Sequence, residues 1–239
     1  MDRPAHIEVS NLSMAYGDFV VQRGIDFRVR QGDVFVIMGG NGCGKTTLMR
    51  ALIGLQRPAA GSVRYGGEDF WSAAEEDRER MKRRLGILFQ GGALWSSLTL
   101  AENVALPLAE YTGLPPGRVA EIVSFKDFYP SELSGGMKKR AGLARAMALD
   151  PDILIIDEPS SGLDPLTARR LDDLILELRD SLGATIIVIS HDLASILAIG
   201  SDSIYLDADT HTMIATGNPR QALASGDAKV RHFLTRGSE

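Results

Sequence analysis

Gly39-Gly40-Asn41-Gly42-Cys43-Gly44-Lys45-Thr46-Thr47 follows an apolar run and opens a helical pattern, with the spacing G-x-x-x-x-G-K-[ST]. That pattern suits polyphosphate chemistry. Glycines let backbone N–H groups turn inward and approach phosphate oxygens with no Cβ in the way. A helix starting near Gly44 aims the positive end of its dipole at the same place. Lys45 supplies a mobile ammonium for the β- and γ-phosphates, and the Thr46 hydroxyl is short enough to ligate Mg²⁺. Farther along, Ile153-Leu154-Ile155-Ile156 ends in Asp157-Glu158. Backbone alternation is expected to send these two carboxylates in different directions. Asp157 suits holding hydrated Mg²⁺, and Glu158 suits polarising the water that attacks a γ-phosphate. Alone, the acids read as the solvated start of a loop; beside the glycine-rich loop they predict a nucleoside triphosphatase. Leu133-Ser134-Gly135-Gly136-Met137 offers a second helix N-terminus with a hydroxyl and bare N–H groups, a second anion site or a simple loop cap.

These residues need rigid elements to aim them. Val34 to Met38 is a short apolar run of the kind that forms a buried parallel strand, and Thr46 to Leu55 reads as the helix after it. Further apolar runs, Leu85 to Phe89, Ile153 to Ile156, Thr185 to Ile189 and Ile204 to Leu206, alternate with helical segments. The order predicts an α/β fold with a mostly parallel sheet wrapped by helices. The N-terminal part differs: Ile25, Phe27 and Val29 alternate with Asp26, Arg28 and Arg30, as in a half-buried antiparallel strand. Val63 and Tyr65 before Gly66-Gly67 read as a hairpin. Thr99-Leu100-Ala101-Glu102 has capping-box spacing, so a helix is expected from there toward Tyr111, kinked at Pro107. Pro115-Pro116 marks a break before another short helix.

The 239 residues are enough for one domain with a subdomain. No apolar run reaches the roughly 18 residues of a membrane span, and Met1 to His6 does not open like a signal peptide, so the chain is expected to be soluble and cytoplasmic. A single cysteine, Cys43, excludes an internal disulfide and a thiolate metal cage. A formal charge of −5 gives no broad footprint for nucleic acid. The cluster Arg78 to Arg84 is interleaved with acids and reads as a solvated helix face.

The order LSGGM at 133–137, then ILIIDEP, then Ser161-Gly162-Leu163-Asp164, then Ser190-His191-Asp192 resembles the full motif set of an ABC-type ATPase over nearly the whole chain. The resemblance implies a single ABC ATPase domain over 1–239. It would have a core and antiparallel β subdomain at about 1–88 and 151–239, with a helical subdomain at about 91–150. It implies ATP and Mg²⁺ as ligands. It also implies a head-to-tail homodimer in which ATP on Gly39 to Thr47 of one copy is covered by Ser134, Gly135 and Gly136 of the other. Gln90 matches the glutamine that contacts Mg²⁺ and the attacking water, His191 the histidine touching the γ-phosphate, and Asp164 the aspartate communicating between sites. Tyr16 sits where the family stacks an aromatic on adenine; the alternative is core packing. Cys43 stands where many relatives carry serine. Its place beside Lys45 at a helix N-terminus is expected to make the thiol more acidic and reactive, the alternative being an inert small residue.

The segment Phe89-Gln90-Gly91-Gly92-Ala93-Leu94-Trp95-Ser96-Ser97-Leu98-Thr99 is similar to the MlaF/Mkl group, the ATPases of MCE-type lipid transporters. So are Glu102 to Leu108, Tyr129-Pro130-Ser131-Glu132 and Val230 to Leu234. The group implies an MlaE-like integral membrane permease, an MCE-domain protein and a small STAS-type regulator as partners, at the cytoplasmic face of the inner membrane. Leu94, Trp95 and Leu98 then receive a permease helix, or else belong to the helical core. Two departures stand out: the region from Arg118 to Tyr129 is shorter than the group's pattern, and the tail stops soon after Leu234. The competing functions are a small-solute or amino-acid importer subunit and a soluble ABC ATPase acting on DNA or ribosomes. The second predicts a coiled-coil insertion or second cassette, and the chain shows neither.

Overall fold

The computed structural model describes residues 4–114 and 127–236. Its centre is β3 (Val34–Gly39), six residues that are all buried. With nothing polar on either face, such a strand is stable only between neighbours and under cover on both sides. It lies between β8 (Thr185–Ile189) and β9 (Asp202–Asp207), and β7 (Ile153–Asp157), β6 (Leu85–Leu88) and β10 (Thr212–Thr216) complete the sheet in the order β10-β9-β3-β8-β7-β6. All pairings are parallel except that of β10 with β9. Ile37 of β3 and Asp157 of β7 both pair with Ile189, so the chain leaves three neighbouring strands at one edge. The carboxyl edge of a parallel sheet is where such folds gather ligands.

A second, antiparallel sheet runs β2-β1-β4-β5, formed by β1 (Ala5–Tyr16), β2 (Phe19–Arg30), β4 (Ala60–Tyr65) and β5 (Glu68–Asp69). On β2 Ile25, Phe27 and Val29 are buried while Asp26, Arg28 and Arg30 are exposed, as the alternation predicts. Gly66 (φ +57) and Gly67 (φ +89) turn β4 into β5, conformations that a Cβ would strain. Between the sheets lies α1 (Lys45–Leu52), whose Leu48 and Leu52 are fully buried, each worth about 1.5–3 kcal/mol. It stops short of the expected Leu55 because Gly54 turns the chain at φ +79.

The outer face of the parallel sheet is covered by α5 (Pro165–Leu182) and α6 (Leu193–Ile199). After β5 comes α2 (Glu75–Arg83), where Arg78, Arg80 and Lys82 pair with Glu75, Asp77 and Glu79, the solvated face read from the charge pattern. In the segment between β6 and β7, α3 (Leu100–Tyr111) packs Val104 and Leu108 near Ala144 of α4 (Gly135–Met147). The Thr99–Glu102 capping box is formed, and α3 runs through Pro107. The last elements among the described residues are α7 (Pro219–Ser225) and α8 (Ala228–Arg236). The expectations for Pro115-Pro116, and for the shortened region from Arg118 to residue 126, lie outside the described residues. No helix among the described residues is long and apolar enough to cross a membrane.

Candidate functional site

The glycine-rich loop leaves β3 through backbone that side chains do not tolerate. Gly39 has φ +152, and a Cβ there would stand 2.4 Å from the Leu206 carbonyl oxygen. Gly44, at φ +96, would place one 2.7 Å from Val21 Cγ1. The loop is thus wedged between β9 and β2. Gln22, fully buried, clamps it by donating from Nε2 to the Cys43 carbonyl at 2.7 Å and the Asp207 carbonyl at 2.9 Å. This clamp was missed from sequence, because a lone glutamine on an alternating strand reads as solvent-facing. Gly44 caps α1 with no side-chain hydrogen bond, so no capping side chain stands between the first turn of α1 and an anion in the cavity it lines. Lys45 Nζ donates to the carbonyls of Gly39 at 2.8 Å and Gly40 at 2.9 Å, arching its ammonium back over the loop.

Cys43 corrects the expectation made for it. Its side chain is 1 % exposed and packs in the core. Burial pushes the thiol pKa up, a larger effect than the downward pull of Lys45. The nearby helix N-terminus and ammonium do not make a reactive thiolate where solvent cannot reach the sulfur.

Opposite the loop, β7 delivers Asp157 and then breaks. Glu158 takes φ +49, so strand alternation ends at Asp157 and both carboxylates line one cavity. Glu158 Oε1 lies 2.7 Å from His191 Nδ1, while Oε2 is buried without a hydrogen-bond partner. Burial, then the neighbouring Glu158 charge, raises the Asp157 pKa, and Lys45 opposes both. Gln90 reaches across with Nε2 donating to Ser161 Oγ at 3.3 Å.

The resulting cavity holds about 460 Å³, within the range of small-molecule sites. It brings together Tyr16, Asn41 to Thr47, Gln90, Asp157, Glu158 and His191. Gly39 and Gly40 do not line it themselves; their carbonyls hold Lys45, which does. Tyr16 is 49 % exposed at the mouth, with its hydroxyl donating to Gln56 Oε1 at 2.9 Å, which excludes core packing. Phe19, across the hairpin turn from Tyr16, lines the same mouth. Thr46, Asp157 and Gln90 present oxygen donors to the cavity, the ligand type a hard cation such as Mg²⁺ takes.

Ser134, Gly135, Gly136 and Asp164 do not line this cavity. Ser134 caps α4, its Oγ accepting from Met137 N at 3.3 Å. Asp164 caps α5, accepting from the N–H groups of Leu166 at 3.1 Å and Thr167 at 3.0 Å. The two caps are neighbours: a Cβ on Gly136 would meet Thr167 Cγ2 at 2.6 Å, and one on Gly135 Leu163 at 3.4 Å. Trp95 is 61 % exposed, whereas Leu94 and Leu98 are half-buried.

Comparison with known proteins matches residues 22–161 to the family described as ABC transporter. The chain is 40% identical over 238 residues to the intermembrane phospholipid transport system ATP-binding protein MlaF of Haemophilus influenzae, covering 95% of this chain and 89% of that protein. It is 35% identical over 239 residues to the probable ribonucleotide transport ATP-binding protein mkl of Mycobacterium bovis, covering 95% of this chain and 66% of that one. Among solved structures, a dimeric ATP-binding cassette in a post-hydrolysis state, bound to ADP and Pi, superposes with a TM-score of 0.79 at 25% identity, over 88% of this chain and 97% of that one.

Proposed function

We propose that this chain, which belongs to the ABC transporter family and is an ATP-binding and hydrolysing subunit, energises a transporter that moves phospholipid. One observation carries the reading: the phosphate loop, Asp157, Glu158, His191 and Gln90 converge on one cavity in a chain 40% identical to a phospholipid-transport ATPase. In this reading Lys45 and the first-turn N–H groups of α1 bind the β- and γ-phosphates, and Tyr16 faces the base. Thr46, Asp157 and Gln90 would hold Mg²⁺, which would supply neutralising charge to the phosphate oxygens. Glu158 takes the proton of the attacking water: its buried Oε2 has a free acceptor site, and the bond from Oε1 to His191 at 2.7 Å sets the carboxylate's direction.

Four of the proposed residues, Ser134, Gly135, Gly136 and Asp164, stand apart from the cavity. They complete a second copy's site in a head-to-tail homodimer, a reading supported by the dimeric state of the similar cassette. The membrane partners are an MlaE-like permease, an MCE-domain protein and a small STAS-type regulator, with the chain peripheral on the cytoplasmic face of the inner membrane. Exposed Trp95 supports a docking surface after Gln90. Affinity purification of the chain from its own membranes tests this reading. Recovery of an MlaE-like permease with an MCE protein supports it; recovery of a permease with a periplasmic solute-binding protein, or with nucleotide-transport activity, overturns it.

A further inference from the structure

Lys138, Lys139 and Arg140 are consecutive cations on α4, yet only Lys139 is buried, at 5 % exposure. A solvated helix face would have left all three in water. Lys139 Nζ instead donates to the backbone carbonyl of Glu158 at 2.5 Å. Burial pushes its pKa down, while the carboxylates of Glu158 and Asp157 act to keep it charged. The carbonyl it grips belongs to a residue at φ +49, a state a glutamate keeps only where its surroundings hold it. On the other side the Glu158 N–H donates to the Ile189 carbonyl at 2.8 Å. The Glu158 carbonyl also accepts from the Ser161 N–H at 3.3 Å, so the peptide units on either side of Glu158 are held by β8, by the turn that follows and, from a separate element, by α4.

We propose that Lys139 is a positioning residue for hydrolysis: from α4 it pins the Glu158 carbonyl and so fixes where the Glu158 carboxylate points. The inference rests on Glu158 being the residue that polarises the attacking water. It adds a mechanical link, because the helix whose N-terminus is Ser134 carries, five residues on, the pin of the same chain's own Glu158. That distance is roughly 7.5 Å along a helix. When a second copy's nucleotide engages Ser134, the resulting shift of α4 is delivered to Glu158 through Lys139.

The test uses the full chain, wild type against K139M and K139R, with steady-state phosphate release, binding of a fluorescent ATP analogue, and thermal denaturation. K139M keeps the length of the stem and removes the donor. Its kcat is expected to fall by on the order of 10²-fold, the cost of an ångström-scale misplacement, with KM and analogue affinity unchanged. K139R, which retains a cationic donor, recovers most of kcat. Where K139M does not fold, K139Q replaces it and is read in the same way. Wild-type kcat in a folded K139M overturns the inference, as does lost ATP affinity or equal impairment of K139R. A wild-type chain that releases no phosphate from ATP overturns the underlying role of Glu158 instead.

Discussion

Replacing Glu158 with Gln should collapse turnover while leaving the fold and ATP binding intact. Glu158 is 8 % exposed, adjoins Asp157 and has a buried Oε2 with no partner. A buried polar atom without a partner costs about 1–3 kcal/mol, and more when the group is charged. The amide of Gln keeps the side chain's shape and removes the charge, and the backbone bonds to Ile189 and Lys139 do not involve the side chain. In the absence of nucleotide the amide leaves an unpartnered polar atom where Oε2 was, while the repulsion with Asp157 is relieved and the attraction that helps keep buried Lys139 charged is lost. The two charge effects oppose each other, so Tm should stay within roughly 4 °C of wild type, about 1 kcal/mol for a chain of this size. Hydrolysis should fall about 10²–10⁴-fold, the worth of a general base, or roughly 2.7–5.4 kcal/mol on the barrier. Calorimetry, phosphate release and ATP-analogue binding measure the three quantities on one sample. Size-exclusion chromatography with Mg-ATP should show an accumulated dimer. A fall in Tm of more than about 4 °C, roughly 1 kcal/mol or more for a chain of this size, would refute the reasoning that the two charge effects offset one another. Turnover near wild type would remove Glu158 from the base role, whatever the Tm.

Gly44→Ala puts a Cβ 2.7 Å from Val21 Cγ1 at φ +96, strain of about 1–3 kcal/mol; ATP-analogue titration should show affinity at least about tenfold weaker, and wild-type affinity would disprove the wedge. Asp172, buried and accepting from Ser195 Oγ at 2.8 Å, has its carboxyl pushed up from 3.8 to about 6 by burial. Between those values the folded chain binds more protons than the unfolded one, so this group's contribution to stability falls as pH rises, by at most roughly 3 kcal/mol. Asp172→Asn should remove that slope and leave the variant more stable than wild type at pH 7 but not near pH 4, as read by urea denaturation; parallel pH profiles would count against it. Asn103 is fully buried, accepts from Trp95 N–H at 2.8 Å and donates to the carbonyls of Trp95, Leu98 and Thr99. Asn103→Ala should cost about 1–3 kcal/mol and reduce co-purification of the permease while ATP affinity holds. Unchanged recovery would detach this segment from docking.

What could be read from the sequence was whatever depends on local spacing. The phosphate loop, the strand beneath it, the Thr99–Glu102 cap and the Gly66-Gly67 turn each lie within a few residues, and each was legible because its physics is local. The Asp157–Glu158 pair was legible as chemistry but not as geometry. Alternation is a property of a continuing strand, and Glu158 at φ +49 is no longer in one. Cys43 failed for a related reason: in sequence it sits between two glycines, two residues from Lys45, while its neighbours in space are apolar core. Burial, which decides a thiol's acidity here, is set by β2 and β9 closing over the loop from residues 21–22 and 206–207. Gln22, Lys139 and Asp172 were equally invisible, because each is a polar side chain whose sequence pattern assigns it to solvent and whose partner lies 19 to 185 residues away. Such buried groups carry a cost that only tertiary contacts can offset. Two of the offsetting bonds end on backbone of the nucleotide site, at the carbonyls of Cys43 and Glu158, while the third, Asp172 with Ser195, lines a separate cavity and ties α5 to the helix that follows His191. Gln22 and Lys139, which pattern reasoning sends to solvent, are therefore residues that hold the nucleotide cavity in shape.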